Sequence, residues 1–361
     1  MPEPTSAAPG GPVLLRDHTT LHLGGPARAY LEATTEAELV AAVDAADRAG
    51  EPVLVLGGGS NVVVADEGFA GTVVKVATRG VSTDTDGAAD PSCGGVLVTV
   101  AAGETWDDLV ATAVERGWVG IEALSGIPGS VGATPIQNVG AYGQEVSQTI
   151  ARVRVYDRVL RGVRTFTAEE CRFGYRTSRF KADRLDAVGG RHVVLEVTFQ
   201  LRVGDLSAPV AYTELARTLG VEVGQRAPLA DVRAAVLGLR GGKGMVVDEA
   251  DHDTWSAGSF FTNPVVDAGS VPAGAPAYPQ PDGRVKTSAA WLIEHAGFAK
   301  GHPGPGGRVS LSTKHTLALT NRGEGSTADL LALAREVQAG VESAYAIRLV
   351  NEPVLVGLDP L

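Results

Sequence analysis

An α+β chain of two or three domains is predicted from length, from the run of element types and from one loop. At 361 residues the chain exceeds the usual size of a single core. Residues up to about 205 mix β-branched strand runs with short amphipathic helices, and beyond that point helices dominate. The loop Gly57-Gly58-Gly59-Ser60-Asn61 follows an apolar strand, Val53–Leu56, but leads into a second β-branched run, Val62–Val64. A doubly wound dinucleotide fold needs three spaced glycines between a strand and a helix. Here the third glycine is absent and the next run prefers strand; no Walker-type phosphate loop is present either. A phosphate held by Gly57–Asn61 would sit in a nest of turn N–H groups, and a plain Gly-rich hairpin is the other reading.

Composition narrows the function. Hydrophobic residues make up 44% and charged residues 20% of the chain, the balance of a soluble protein with a sizeable interior. A net charge of −11 argues against nucleic-acid partners, which select a basic face. An anionic ligand must then be met by locally placed Arg and Lys. The opening MPEPTSAAPGGPVLLRDHTT lacks the basic and apolar regions of a signal peptide, and no run of about 18 apolar residues suggests a membrane span. Cys93 and Cys171 fit neither a disulfide framework nor a zinc site, so no metal is expected. A cytoplasmic protein is the expectation.

In chain order, residues 1–16 read as a disordered leader. A strand near Ala29–Leu31 precedes a helix over Glu36–Ala49, where Leu39, Val40, Val43 and Ala46 share a face and Gly50 stops it. Strand runs TVVKVA, GVS and VLVTVAAG follow, interrupted by the polar loop DTDGAADPSCGG, in which Cys93 is an incidental thiol. A helix over Thr105–Glu115 carries Trp106, Leu109, Val110 and Ala113 on one face. Next comes GIEALSGIPGSVGATPIQNVGAYGQE, with Gly126, Gly129, Gly132, Gly140 and Gly143 among small residues and Pro128 and Pro135. Without Cβ atoms, such backbone approaches a ligand closely and can cradle a pyrophosphate. Composition alone leaves a bare loop cluster equally open.

The rest of the chain supplies charge. A hairpin around Gly162 leads to CRFGYRTSRFK, where Phe173, Tyr175, Arg176, Arg179, Phe180 and Lys181 interleave aromatic and cationic groups. Arginine suits bidentate contact with carboxylate or phosphate, although a solvated basic turn is the alternative. A strand HVVLEVTFQLRV closes this half near Val203. TELARTLG and PLADVRAAVLGLRGGKG then read as helices, and AGSFFTNP sets Ser259 among small and aromatic residues. Residues 267–284 form a Pro/Gly-rich loop, SAAWLIEHAGFAKGH a short helix, and HTLALTN a strand after a second loop ending at 307. A long helix spans Thr327–Tyr345, and the closing strand IRLVNEPVLVG is interrupted by Asn351, Glu352 and Pro353. A carboxylate inside an apolar strand is costly to bury, unless it lies on an edge beside the proline.

Taken in order, GGGSN, IPGSVGATPIQNVGAYGQE, CRFGYRTSRFK, AGSFFTNP and a terminal NEP strand resemble the UDP-N-acetylenolpyruvoylglucosamine reductase family, from about His18 to Gly357. The resemblance implies a two-part FAD-binding fold of the vanillyl-alcohol-oxidase type, followed by a C-terminal α+β substrate-binding domain. The implied boundaries are 17–78 for the first FAD-binding part with 346–361 returning to it, 79–205 for the second, and 206–345 for the substrate domain. It further implies non-covalent FAD, NADPH as co-substrate, and the enolpyruvyl ether of UDP-N-acetylglucosamine as substrate. A monomer with UDP-N-acetylmuramate dehydrogenase activity in peptidoglycan precursor synthesis is the expected form.

Matched position by position, Gly57, Gly58, Gly59, Ser60 and Asn61 with Gly126, Ile127, Pro128, Gly129, Ser130, Gly132 and Ala133 would hold the FAD pyrophosphate. Asn138, Gly140, Ala141 and Tyr142 would line the flavin side of the pocket. Arg176 matches the arginine beside the flavin, preceded by Tyr175, and Ser259 matches the proton-donating serine. Tyr212 matches the tyrosine of the longer form of the family, and Lys243 and Asn263 would reach the diphosphate and uridine. Many members read Glu-Pro-Glu where this chain has Asn351-Glu352-Pro353. Alignment on Gly357 puts Glu352 at the acidic position, whereas alignment on the proline leaves Val354, which can neither polarise nor protonate anything. The loops 267–284 and 301–307 match no family motif.

The implied chemistry delivers a hydride to the vinyl C3 and leaves charge at C2, spread into the carboxylate. Arg176 and a protonated Glu352 would stabilise that charge, and Ser259 would protonate C2. A different flavin oxidase and a non-catalytic UDP-sugar binder are the rival readings. The first has no reason to pair GYR with AGSFF; the second has no reason to keep Arg176, Ser259 and Glu352 together.

Overall fold

The computed structural model describes residues 11–84, 95–186 and 188–361. Cys93 and its surrounding loop lie outside them. The first unit contains β1 (Ala27–Ala33), α1 (Glu36–Ala49), β2 (Val53–Leu56), β3 (Val62–Val64) and β4 (Phe69–Val76). Strands β1, β4 and β2 form a parallel sheet in that order. Helix α1 keeps its expected bounds because its ends are chemically marked. The Thr35 hydroxyl accepts from Glu38 N–H while the Glu38 carboxylate accepts from Thr35 N–H, and Gly50 ends the helix at φ 68°.

The second unit runs through β5 (Val81–Thr83), β6 (Gly95–Ala101), α2 (Trp106–Glu115), β7 (Trp118–Val119), α3 (Thr134–Gln137), β8 (Gly140–Ala141), β9 (Gln144–Glu145), β10 (Ile150–Asp157), β11 (Gly162–Thr167), α4 (Arg179–Ala182) and β12 (His192–Val203). Its antiparallel sheet has the order β11-β10-β12-β6-β5, with β7 pairing to β12. Val98 and Val100 of β6, Val153 and Val155 of β10, and Val197 and Phe199 of β12 are buried with Leu39 and Val43 of α1 and Trp106 and Val110 of α2. One core therefore joins the two units. That shared interior fixes the loops projecting from both.

The remaining elements are α5 (Thr213–Leu219), α6 (Leu229–Gly241), β13 (Val265–Val266), β14 (Ala277–Pro279), β15 (Val285–Thr287), α7 (Ala289–His295), β16 (Val309–Leu311), β17 (Leu319–Asn321), α8 (Thr327–Tyr345) and β18 (Val354–Val356). Within 206–345 the buried side chains fall into two clusters. Leu215, Val232 and Val236 of α5 and α6 close over Ala123 of the second unit. Arg233 of α6 holds Asp107 of α2 through two bonds of 2.7 and 2.9 Å. The other core gathers Phe260, Phe261, Leu292, Leu333 and Val337, together with Leu21, Leu23 and Val63 from the start of the chain.

Two further differences stand out. Residues 267–284, expected as a loop, contribute β14 to a small sheet of order β13-β15-β14. The expected leader of residues 1–16 is ordered over its described part, since Leu15 is fully buried and its N–H donates to Gly25 O at 2.9 Å. At the other end, β18 lies parallel to β3, pairing Val354 with Val62 and Val356 with Val64. Among the described residues no helix is long and apolar enough to cross a membrane.

Candidate active site

A cleft opens where the shared core ends, between Gly57–Asn61 on one side and Ile127–Ala133 on the other. The two loops are pressed together. Ser60 Oγ donates to Pro128 O at 3.1 Å, and a Cβ on Gly58 would lie 2.5 Å from Gly129 Cα. Gly59 adopts φ +67°, and a Cβ there would sit 1.9 Å from the His18 carbonyl oxygen. Only glycine fits either position. None of the N–H groups of Gly57, Gly58, Gly59, Ser60, Asn61, Ile127, Gly129 and Ser130 donates to an acceptor among the described residues. Such a concentration of unpaired backbone donors lining one cleft is the counterpart of a polyanionic group.

At one end of this cleft three side chains converge. Arg176 adopts φ +51°, a strained conformation for a residue with a side chain. Its Nη2 donates to Gly140 O at 3.0 Å, and its Nε lies 3.1 Å from Glu352 Oε1. That Nε makes no aligned hydrogen bond, so the contact is an ion pair of close approach. Gln137 Nε2 donates to the same Oε1 at 3.3 Å, and Lys181 Nζ donates to Gln137 Oε1 at 2.7 Å. Glu352 Oε2 has no hydrogen-bond partner among the described residues. Burial pushes the Glu352 carboxyl up, against the opposing pull of Arg176, Lys181 and Gln137. Burial likewise pulls the Lys181 ammonium down.

Backbone pairing brings Ser259 to the same corner. Glu352 N–H donates to Phe260 O at 2.8 Å, and Phe261 and Asn351 form an isolated bridge. Phe260 N–H in turn donates to Leu317 O at 2.7 Å, so the Ser259 segment is clamped from both sides. Ser259 lines the cleft with Arg176 and Glu352, and its hydroxyl has no protein hydrogen-bond partner among the described residues. A cationic fork, a half-buried carboxyl of raised pKa and an unengaged hydroxyl thus face one volume.

Residues 27–161 match the family model of an FAD binding domain, and residues 249–356 match that of the C-terminal domain of UDP-N-acetylenolpyruvoylglucosamine reductase. The UDP-N-acetylenolpyruvoylglucosamine reductase of Cutibacterium acnes is 59% identical over 354 residues, covering 98% of this chain and 92% of that one. The protein of the same name from Streptomyces avermitilis is 57% identical over 94% of this chain and 93% of its own. The chain belongs to the UDP-N-acetylenolpyruvoylglucosamine reductase family. The crystal structure of the reductase from Thermus caldophilus aligns over 95% of this chain and 97% of that one, with a TM-score of 0.61 and 25% identity. The two-part FAD-binding fold and the flavoprotein class expected from the motifs are thereby established.

Within the reductase framework, the cleft fits FAD at its glycine loops. Gly58→Ala should weaken FAD binding about 10- to 100-fold, because forcing the loops apart costs on the order of 1–3 kcal/mol. Equilibrium release of flavin fluorescence measures this, and unchanged affinity would place the pyrophosphate elsewhere. Gly57, Gly58, Gly59, Ser60, Asn61, Ile127, Pro128, Gly129, Ser130, Gly132, Ala133 and Gly140 line the cleft as expected.

Four expected cofactor residues do not. Gly126 donates its N–H to Asp107 Oδ1 at 2.6 Å and faces Leu237 of α6. Asn138, at φ +46°, is a latch: its Nδ2 donates to Glu145 Oε2 and Gly174 O, and its Oδ1 accepts from Ser147 N–H. Ala141 packs on the shared core. Tyr142, at φ +48°, packs against the α5–α6 cluster, its ring edge-on to Tyr212 at 5.5 Å and 5.6 Å from Lys243 Nζ. Tyr142, Tyr212 and Lys243 therefore form a group of their own beside the cleft. Asn263 Oδ1 accepts from Ala289 N–H at the start of α7 at 2.9 Å. Tyr175 carries Lys286 Nζ at 4.4 Å from its ring.

Two residues escaped the sequence reading. Arg240 lines the cleft at 7% exposure, with Nη2 donating to Met245 O at 2.8 Å and Nε unpaired. Burial lowers its pKa to about 10, so it stays cationic at neutral pH. Its signal was available, since Val232, Val236 and Arg240 recur every fourth residue on the buried face of α6. His315 is pushed down to about 4, first by burial and then by Lys243, Lys300 and Arg240, and is neutral at pH 7. No pattern in the sequence marks it.

Proposed function

We propose that this protein reduces the enolpyruvyl group of UDP-N-acetylglucosamine enolpyruvate to the lactyl ether of UDP-N-acetylmuramate, with NADPH as reductant. The observation that carries the reading is the convergence of Arg176, Glu352 and Ser259 on a cleft whose other end is a polyanion cradle. FAD held between Gly57–Asn61 and Ile127–Ala133 would supply the hydride chemistry linking NADPH to the vinyl C3. The protein must then manage the charge left at C2. Arg176, fixed by Gly140 O and Glu352, directs its cationic fork at the substrate carboxylate. Glu352, whose carboxyl burial pushes toward the neutral form against the pull of Arg176, would donate from Oε2 to the same group when protonated. Ser259 Oγ delivers its proton to C2, a transfer available to a hydroxyl because an enolate carbon is strongly basic.

Lys243, Tyr212 and Tyr142 form the side of the site that receives the nucleotide diphosphate. One chain supplies every group, which supports a monomer, and the NADPH requirement supports a cytoplasmic location. The purified protein should be yellow, bleached by NADPH, and recoloured by the enolpyruvyl nucleotide in the absence of oxygen. The recolouring rate should fall as pH rises through the raised Glu352 pKa, because the donor form is the protonated one. A bleached sample indifferent to the nucleotide would overturn the assignment.

A further inference from the structure

Lys243 already has an anion. Its Nζ lies 2.6 Å from Glu214 Oε2, and Glu214 stands in the first turn of α5, two residues after Tyr212. Both partners are partly exposed, at 31% for Lys243 and 39% for Glu214. A pair of this exposure contributes little to holding the fold. The surroundings of Lys243 are otherwise suited to an incoming anion. Arg240 and Lys243 both act on Tyr142 and on the uncharged His315, and the rings of Tyr142 and Tyr212 form one wall.

We propose that Glu214 is an affinity-setting counter-ion, occupying Lys243 until a nucleoside diphosphate displaces it. This rests on the reading of Lys243 as a ligand of the substrate diphosphate. A diphosphate oxygen on Nζ and the Glu214 carboxylate on the same Nζ stand only a few ångströms apart, where like charges repel strongly in a partly desolvated site. Either the carboxylate swings out with the start of α5, or it stays and weakens the complex. In both cases it opposes tight retention of UDP-linked ligands, the product included. An enzyme that must release a diphosphate-bearing product gains turnover from such a competitor.

The test is calorimetric titration of the FAD-loaded protein with UDP at low and high salt. Glu214→Gln keeps an acceptor for Lys243 and removes the charge; it should tighten UDP binding about tenfold at low salt, with the gain shrinking as salt screens it. Lys243→Met should weaken UDP binding and abolish the gain when combined with Glu214→Gln. Flavin content and thermal unfolding of the variants serve as controls on folding. Unchanged or weaker binding by Glu214→Gln, with Lys243→Met still weakening it, overturns the counter-ion role alone and makes Glu214 an orienting group. Unchanged binding by Lys243→Met overturns the diphosphate reading of Lys243 and this proposal together.

Discussion

Ser259→Ala should bind FAD and be bleached by NADPH at the normal rate, yet pass hydride onward to product about a thousandfold more slowly. The asymmetry follows from where the hydroxyl stands. Ser259 is held by backbone pairing of its neighbours, Phe260 with Leu317 and Glu352, so removing Oγ leaves its position unchanged. The flavin cradle is built from other loops and loses nothing. What would disappear is the proton proposed for C2, on which only the second half-reaction depends. Rapid-mixing absorbance separates the two half-reactions. Equal slowing of both would remove Ser259 from the role of acid and make it a packing residue.

Arg176→Lys should bind flavin nearly as well and lose about 10²- to 10³-fold in reoxidation by the enolpyruvyl nucleotide. Charge is conserved in this substitution, so the loss measures geometry. The guanidinium donates to Asn138 O through Nη1 and to Gly140 O through Nη2, and sits against Glu352 through Nε. A lysine ammonium cannot hold the hairpin and the carboxyl while addressing a carboxylate bidentately. Both residues share the burden of φ +51°, so backbone strain cancels in the comparison. Single-turnover rates give the figure; a loss under tenfold would show that net charge alone suffices.

Helices α1 and α8 were legible to the residue, since Thr35 with Glu38 and Ser326 with Asp329 form reciprocal caps that local sequence alone determines. The glycine loops were legible through their residue types, and Arg176, Ser259 and Glu352 were singled out through the family resemblance. Facing directions were not. Asn138 and Tyr142 sit at positive φ, which reverses the direction of their side chains relative to any pattern read along the hairpin. The place of α5 and α6 was equally hidden, because it depends on Arg233 meeting Asp107 across the fold. In residues 267–284 the strand β14 is three residues long, too short for alternation to rise above the surrounding Pro and Gly.

The pairing of β18 with β3 has a bearing on how the protein comes into being. Val354 N–H donates to Asn61 O, so the early cradle loop and the carboxyl-bearing strand are stitched together directly. During synthesis the cradle emerges from the ribosome long before Glu352 does. A nascent or prematurely stopped chain can thus offer glycine loops to a cofactor but has no acidic partner for Arg176. A chain that stops before β18 loses in one step the partner strand of β3 and the carboxyl beside Arg176.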